Sequence, residues 1–145
     1  MTSAATVQLV YVSLATRPLP TSELVTLLQR ARAHNATLGV TGVLLHQAGS
    51  FFQVLEGEPA VVDALYDKIG KDPRHRHVVL LLRQEDRPRN FGDWSMGFID
   101  VGGKAARLPG FRAGMAFSDL VGNPETVTKI VAEFRAGRWS PSVAS

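Results

Sequence analysis

Two short apolar runs joined by a glycine-containing turn, with a helix-like segment on either side, set the tightest limit on how this chain can fold. Gly39 to His46 and Phe51 to Glu56 have the length and aliphatic or aromatic content of strands, and Gln47-Ala48-Gly49-Ser50 between them leaves room only for a β-hairpin. Upstream, Val7 to Leu14 reads as another strand, stopped by Arg17-Pro18-Leu19-Pro20. Thr21 can then cap a helix with Glu23 in its first turn and Leu24, Leu27, Leu28 and Ala31 along one stripe, ending near His34 and Asn35. Downstream, Gly57-Glu58-Pro59 opens a second helix that buries Val62, Leu65, Tyr66 and Ile69 and stops at Asp72-Pro73. Val78 to Arg83 and Trp94 to Ile99 supply a fourth and a fifth strand.

The order is therefore βαββαββ. Two βαβ-like halves with a hairpin between them imply an α+β, ferredoxin-like architecture, a mixed sheet with two helices on one face. A third helix is expected near the end of the chain: Asn123 caps it, Pro124 and Glu125 begin it, Val127, Ile130, Val131 and Phe134 form its apolar stripe, and Gly137 stops it. That stripe needs a partner, and the uncovered sheet face offers one. A short helix is expected near Phe117 to Val121. The chain thus divides into a sheet domain over residues 1–100 and a helical cap over 101–145.

With 145 residues there is room for one real core and not for two. The balance of 16 Lys and Arg against 13 Asp and Glu is too mild to argue for nucleic acid. The opening MTSAATVQLVYVS lacks a basic start followed by a long apolar run, and no apolar run reaches membrane-spanning length, so a cytoplasmic protein without membrane contact is expected. The chain has no cysteine, which removes disulfides, thiolate metal sites and cysteine nucleophiles. His34, His46, His75 and His77 form no metal-ligand pattern with nearby carboxylates, so no metal is expected. Neither a nucleophile elbow nor a phosphate-binding glycine loop is present.

Side chains alternate across a strand, so Leu9, Tyr11 and Ser13 share one face, as do Phe51, Gln53 and Leu55, and likewise Trp94, Met96 and Phe98. Gln53 is the anomaly, a primary amide between two large apolar residues, and leaving it without partners costs about 1 to 3 kcal/mol. Mutual satisfaction by the Tyr11 hydroxyl inside a closed core is one solution; a polar ligand is the other.

Four segments, LVYVSLAT at residues 9–16, AHNATLGVTGVLLHQAGSFFQVLEG at 33–57, DPRHRHV at 72–78 and FGDWSMGF at 91–98, together resemble the BLUF family of blue-light sensors that use a flavin. They cover roughly residues 7 to 100 in order and spacing. The resemblance implies that Tyr11 gives an electron and a proton to the excited flavin and recovers both. It implies that Gln53 lies between that phenol and the flavin, its amide offering a donor and an acceptor that can exchange places. Asn35 matches the residue pairing with the pyrimidine edge, although it also suits a helix C-cap, and His34 packs beside the ring. Lys68 and Asp72 match a basic and an acidic residue near the flavin; otherwise they read as an i, i+4 ion pair on the second helix. Arg74 and His75 could meet the flavin phosphate or simply form a solvated loop. Trp94 and Met96 match the family's switch residues on the last strand, where plain core packing is the alternative.

The expected function is accordingly a photoreceptor without catalytic turnover, holding FAD non-covalently, with FMN and riboflavin as alternatives. The lack of cysteine excludes a cysteinyl flavin adduct. The expected output is a red-shifted state passed to an unidentified downstream protein, with a homo-oligomer expected and the C-terminal helix as the route. The competing readings are a light-independent flavin-binding redox sensor and a flavin reductase.

Overall fold

The computed structural model describes residues 6–17, 20–47, 49–73, 75–85, 88–89, 91, 97–101 and 117–135. Their elements run β1 (Val7–Ala15), α1 (Thr21–Leu38), β2 (Thr41–Gln47), β3 (Ser50–Gly57), α2 (Pro59–Gly70), β4 (His75–Gln84), β5 (Gly97–Asp100), a 3-10 turn at Phe117–Leu120 and α3 (Pro124–Arg135). The strands lie in the order β4-β1-β3-β2-β5. β1 is antiparallel to both β3 and β4, β2 is antiparallel to β3, and β5 joins β2 in parallel. This is the ferredoxin-like sheet expected from the sequence, extended by one strand.

The hairpin pairs Gln47 with Ser50 at its tip, and Gly49 takes the left-handed conformation, φ 81°, that so short a connection requires. Alternation along the strands separates two apolar layers. Leu9, Tyr11, Phe51, Leu55 and Phe98 pack under α1 and α2 with Leu24, Leu28 and Val62. Val10, Val12, Phe52, Val54, Val43 and Leu45 pack on the other side under Val127, Ile130, Val131 and Phe134 of α3 and Phe117 and Leu120 of the 3-10 turn. The apolar stripe on the last helix therefore covers the free sheet face. Asn123 caps that helix as expected, accepting from the Thr126 N–H through Oδ1 at 3.3 Å.

Several boundaries differ from the sequence reading: β2 begins at Thr41 and not Gly39, β4 begins at His75 and not Val78, which puts His75 in the sheet and not in a loop, and the helix ends differ as well. First, α1 runs a turn beyond His34 and Asn35, because the residue able to end it is Gly39, at φ 69°. The Gly39 N–H reaches the Ala36 carbonyl and the Val40 N–H the Asn35 carbonyl at 3.0 Å, the paired bonds of a glycine-terminated helix. Asn35 is thus inside the last turn, and its side chain is not the cap. Second, α1 opens on an extended Pro20 with no side-chain cap bond, so Thr21 is its first residue and not its cap. Third, α2 closes at Gly70, which leaves Asp72 beyond the helix that carries Lys68. Of the expected fifth strand, Gly97 to Ile99 is observed, while residues 94–96 lie outside the described residues, as does Gly137.

Candidate functional site

Tyr11 and Gln53 sit at the centre of the sheet, opposite one another on β1 and β3. Their row continues through Leu44 to Phe98 and on the other side to Leu80. Directly opposed residues in an antiparallel pair share a face. The Tyr11 hydroxyl donates to Gln53 Oε1, and both side chains are buried. The ring edge of Tyr11 meets Tyr66 of α2 at a centroid distance of 5.4 Å and an interplanar angle of 61°.

A cavity of about 320 Å³ opens above this pair, between α1, α2 and the sheet. That is within the size range of small-molecule sites. Its walls are apolar, with Leu27, Leu28 and Ala31 from α1, Leu65 and Ile69 from α2, and Phe51 and Leu55 from β3. Tyr11, Gln53 and Asn35 are buried polar residues among its lining, and Asn35 is only 3 % exposed. Because α1 runs on to Gly39, Asn35 stays within its last turn and lines this cavity. His34, Lys68, Asp72 and His75 also line the cavity, with His34 and Lys68 exposed and the other two half-buried. His75 is steadied by Ser13, whose Oγ lies 3.2 Å from its Nδ1, and by the edge of Phe51 at 5.7 Å. Of the ten positions singled out from the sequence, Tyr11, Gln53, Asn35, His34, Lys68, Asp72 and His75 converge on this cavity, while Arg74, Trp94 and Met96 lie outside the described residues.

Arg30 was not singled out from the sequence, yet it lines the same cavity. Its helical spacing held the signal, since Leu27, Arg30, Ala31 and His34 recur at three and four residues along one face of α1.

Burial, and next the neighbouring Tyr66, push the Tyr11 phenol far above the usual tyrosine range. It is therefore a protonated donor throughout the physiological range. An ordinary tyrosine ionises near pH 10. As pH rises past about 10 the unfolded chain sheds this proton while the folded chain keeps it, so the stability present below that pH is lost above it. Tyr66 is raised too, by burial and then by Asp67, and acts with the same sign. The expected result is a urea midpoint that declines above pH about 10, with Tyr11→Phe flattening part of the decline; an identical slope in the variant would contradict it.

The family described as sensors of blue-light using FAD matches residues 6–97. The chain belongs to the BLUF family. Relatives include the photoactivated adenylate cyclase subunit beta of Euglena longa, 38% identical over 89 residues, which cover 61% of this chain and 10% of that protein. The blue light- and temperature-regulated antirepressor BluF of Escherichia coli is 35% identical over 82 residues, covering 57% of this chain and 20% of that one. This chain therefore matches only a tenth to a fifth of these relatives' lengths. The solved structure of BlsA in its photo-activated state agrees over 95% of this chain and 99% of that chain, with a TM-score of 0.82 at 27% identity. The dark-state structure of the BLUF protein BlrB gives 0.74 at 28% identity over 92% and 98%.

A BLUF chain is a blue-light sensor that binds a flavin, and the cavity suits one. Its apolar walls accept a flat ring system, and the buried amides of Asn35 and Gln53 can meet a ring edge that alternates donors and acceptors. Among the described residues, no helix is long and apolar enough to cross a membrane.

Proposed function

We propose that this chain senses blue light through Tyr11 and Gln53 around a non-covalently held FAD, and passes the change to a separate protein. The observation that carries this reading is the Tyr11 hydroxyl donating to Gln53 Oε1, buried beside the cavity. A bound flavin supplies absorption of blue light and an excited state able to take up an electron. Tyr11 gives one electron from its ring and releases its hydroxyl proton along the hydrogen bond to Gln53, then regains both. Gln53 is left with its donor and acceptor exchanged, by rotation or tautomerisation of the amide. The chain ends with the same atoms and electrons and a different hydrogen-bond pattern.

Asn35 holds the pyrimidine edge, His34 packs beside the ring, and Asp72 balances the local charge. Arg30, Lys68, Arg74 and His75 suit the phosphates, which favours FAD over riboflavin. Trp94 and Met96 carry the switch toward β5. Residues 1–100 act as the photosensor, and α3, which covers the opposite sheet face, offers the surface for a downstream partner or a second copy. A cytoplasmic setting without catalytic turnover fits this role.

The test is a visible spectrum of the purified protein in the dark and under blue light. A yellow protein with a small, reversible red shift is expected. An unchanged spectrum sinks the photosensor reading, and oxidation of a pyridine nucleotide with turnover would favour a reductase instead.

A further inference from the structure

On the face of β3 opposite Gln53 lies Glu56, whose side chain is 1 % exposed. Donors from three parts of the chain converge on its carboxyl oxygens: Gln8 Nε2 of β1 at 3.2 Å, Thr41 Oγ1 of β2 at 3.5 Å, and the backbone N–H of Phe91 at 2.9 Å. The backbone carbonyl of Glu56 accepts from Arg89 Nη1 at 3.0 Å. The same guanidinium reaches Thr41 Oγ1 at 2.8 Å and the Gly39 carbonyl at 2.7 Å. Most of these bonds do not build the sheet. They hold the chain that arrives from β4 on its way to β5.

The far end of that stretch is fixed as well. Gly97 pairs with Val43 of β2, and the Val101 N–H donates to the His46 carbonyl at 3.0 Å. Phe91 is therefore tied to Glu56 and Gly97 to β2. Glu56 and Gln53 ride on the same strand, so a shift of β3 at one is felt at the other.

We propose that Glu56 is a positioning residue for signalling, which ties the chain entering β5 to the strand carrying Gln53 and so passes a change in the Gln53 hydrogen bonds to residues 91–101. The inference rests on the role given to Gln53 above, but its structural half can be tested without light. In Glu56→Gln, an amide nitrogen replaces one of the two acceptor oxygens and the paired oxygens of a carboxyl group are lost, which weakens the hold on Phe91 and Gln8.

The experiment is amide hydrogen exchange on the flavin-loaded full chain, in the dark and under blue light, alongside the absorption spectrum. In the wild type, light changes exchange at 91–101. In Glu56→Gln, dark exchange over 88–101 rises about tenfold or more, the light-dependent difference there disappears, and both the red shift and exchange at Tyr11 and Gln53 persist. Arg89→Ala, at an exposed position, gives the same pattern more weakly if the buried variant does not fold. Wild-type exchange at 88–101 in these variants overturns the proposal, as does a rise spread evenly over the sheet, which would make Glu56 a fold-stabilising residue alone. A wild type with no red shift refutes the photosensor reading, while dark exchange still decides whether Glu56 positions this segment.

Discussion

Replacing Tyr11 by phenylalanine leaves a yellow protein that no longer changes colour in blue light. The ring remains, so the apolar contact with Tyr66 and the wall of the cavity are retained. Only the hydroxyl that donates to Gln53 Oε1 is lost. Gln53 then keeps a buried acceptor with one bond fewer, at a cost of about 1 to 3 kcal/mol. A typical domain tolerates that loss. The light response has no such reserve, because phenylalanine has no proton to release and its ring is a far poorer electron donor. The red shift is expected to vanish while flavin content stays near the wild-type level. A surviving shift would move the donor role to another residue; a colourless protein would make Tyr11 chiefly a cofactor-holding group.

The largest loss of stability is expected from Gly42→Ala. A Cβ at this position of β2 would lie 1.9 Å from the Val54 carbonyl oxygen and 2.9 Å from its carbon. These are backbone atoms of β3, which is paired on its other side to β1 and cannot retreat without disturbing Tyr11 and Gln53. Overpacking against an immovable backbone belongs at the severe end of single substitutions, about 4 kcal/mol or more. Gly39→Ala is the control. No atom lies within 4 Å of its added Cβ, so only the left-handed backbone at φ 69° opposes it, and about 1 kcal/mol is expected. Urea unfolding of the two variants should separate them widely; equal midpoints would show that β3 gives way after all.

The strands and helices were legible because their signals are local. Leu9, Tyr11 and Ser13 alternate, Val127, Ile130, Val131 and Phe134 recur at helical spacing, and Gly49 marks the hairpin. The end of α1 was misread because Asn35 can end a helix, whereas the chain stops only at Gly39, where a left-handed residue costs least. The central pair of the site could be inferred from strand faces and family resemblance together, since an amide between Phe51 and Leu55 demands a partner. Arg30 escaped because a basic residue on a helix normally faces water. The crowding at Gly42 and the donors around Glu56 escaped for a deeper reason: both depend on which strands become neighbours, a property no local window contains.

Among the described residues, the walls of the cavity come from Tyr11 through His75, whereas the helix covering the opposite face begins at Pro124. Tyr11 and Gln53 are also 42 positions apart, so their bond cannot form until the hairpin and its flanking helices have returned to β1. Such distant pairings are slow to form. During synthesis the flavin-binding side can therefore close while Phe52 and Val54 still lack the Phe134 contact that later shields them. A half-made chain would already be able to capture its pigment, with the greasy underside of the sheet exposed to the ribosome's surroundings. Early capture of the pigment would lend that unfinished sheet stability when it is most prone to aggregate.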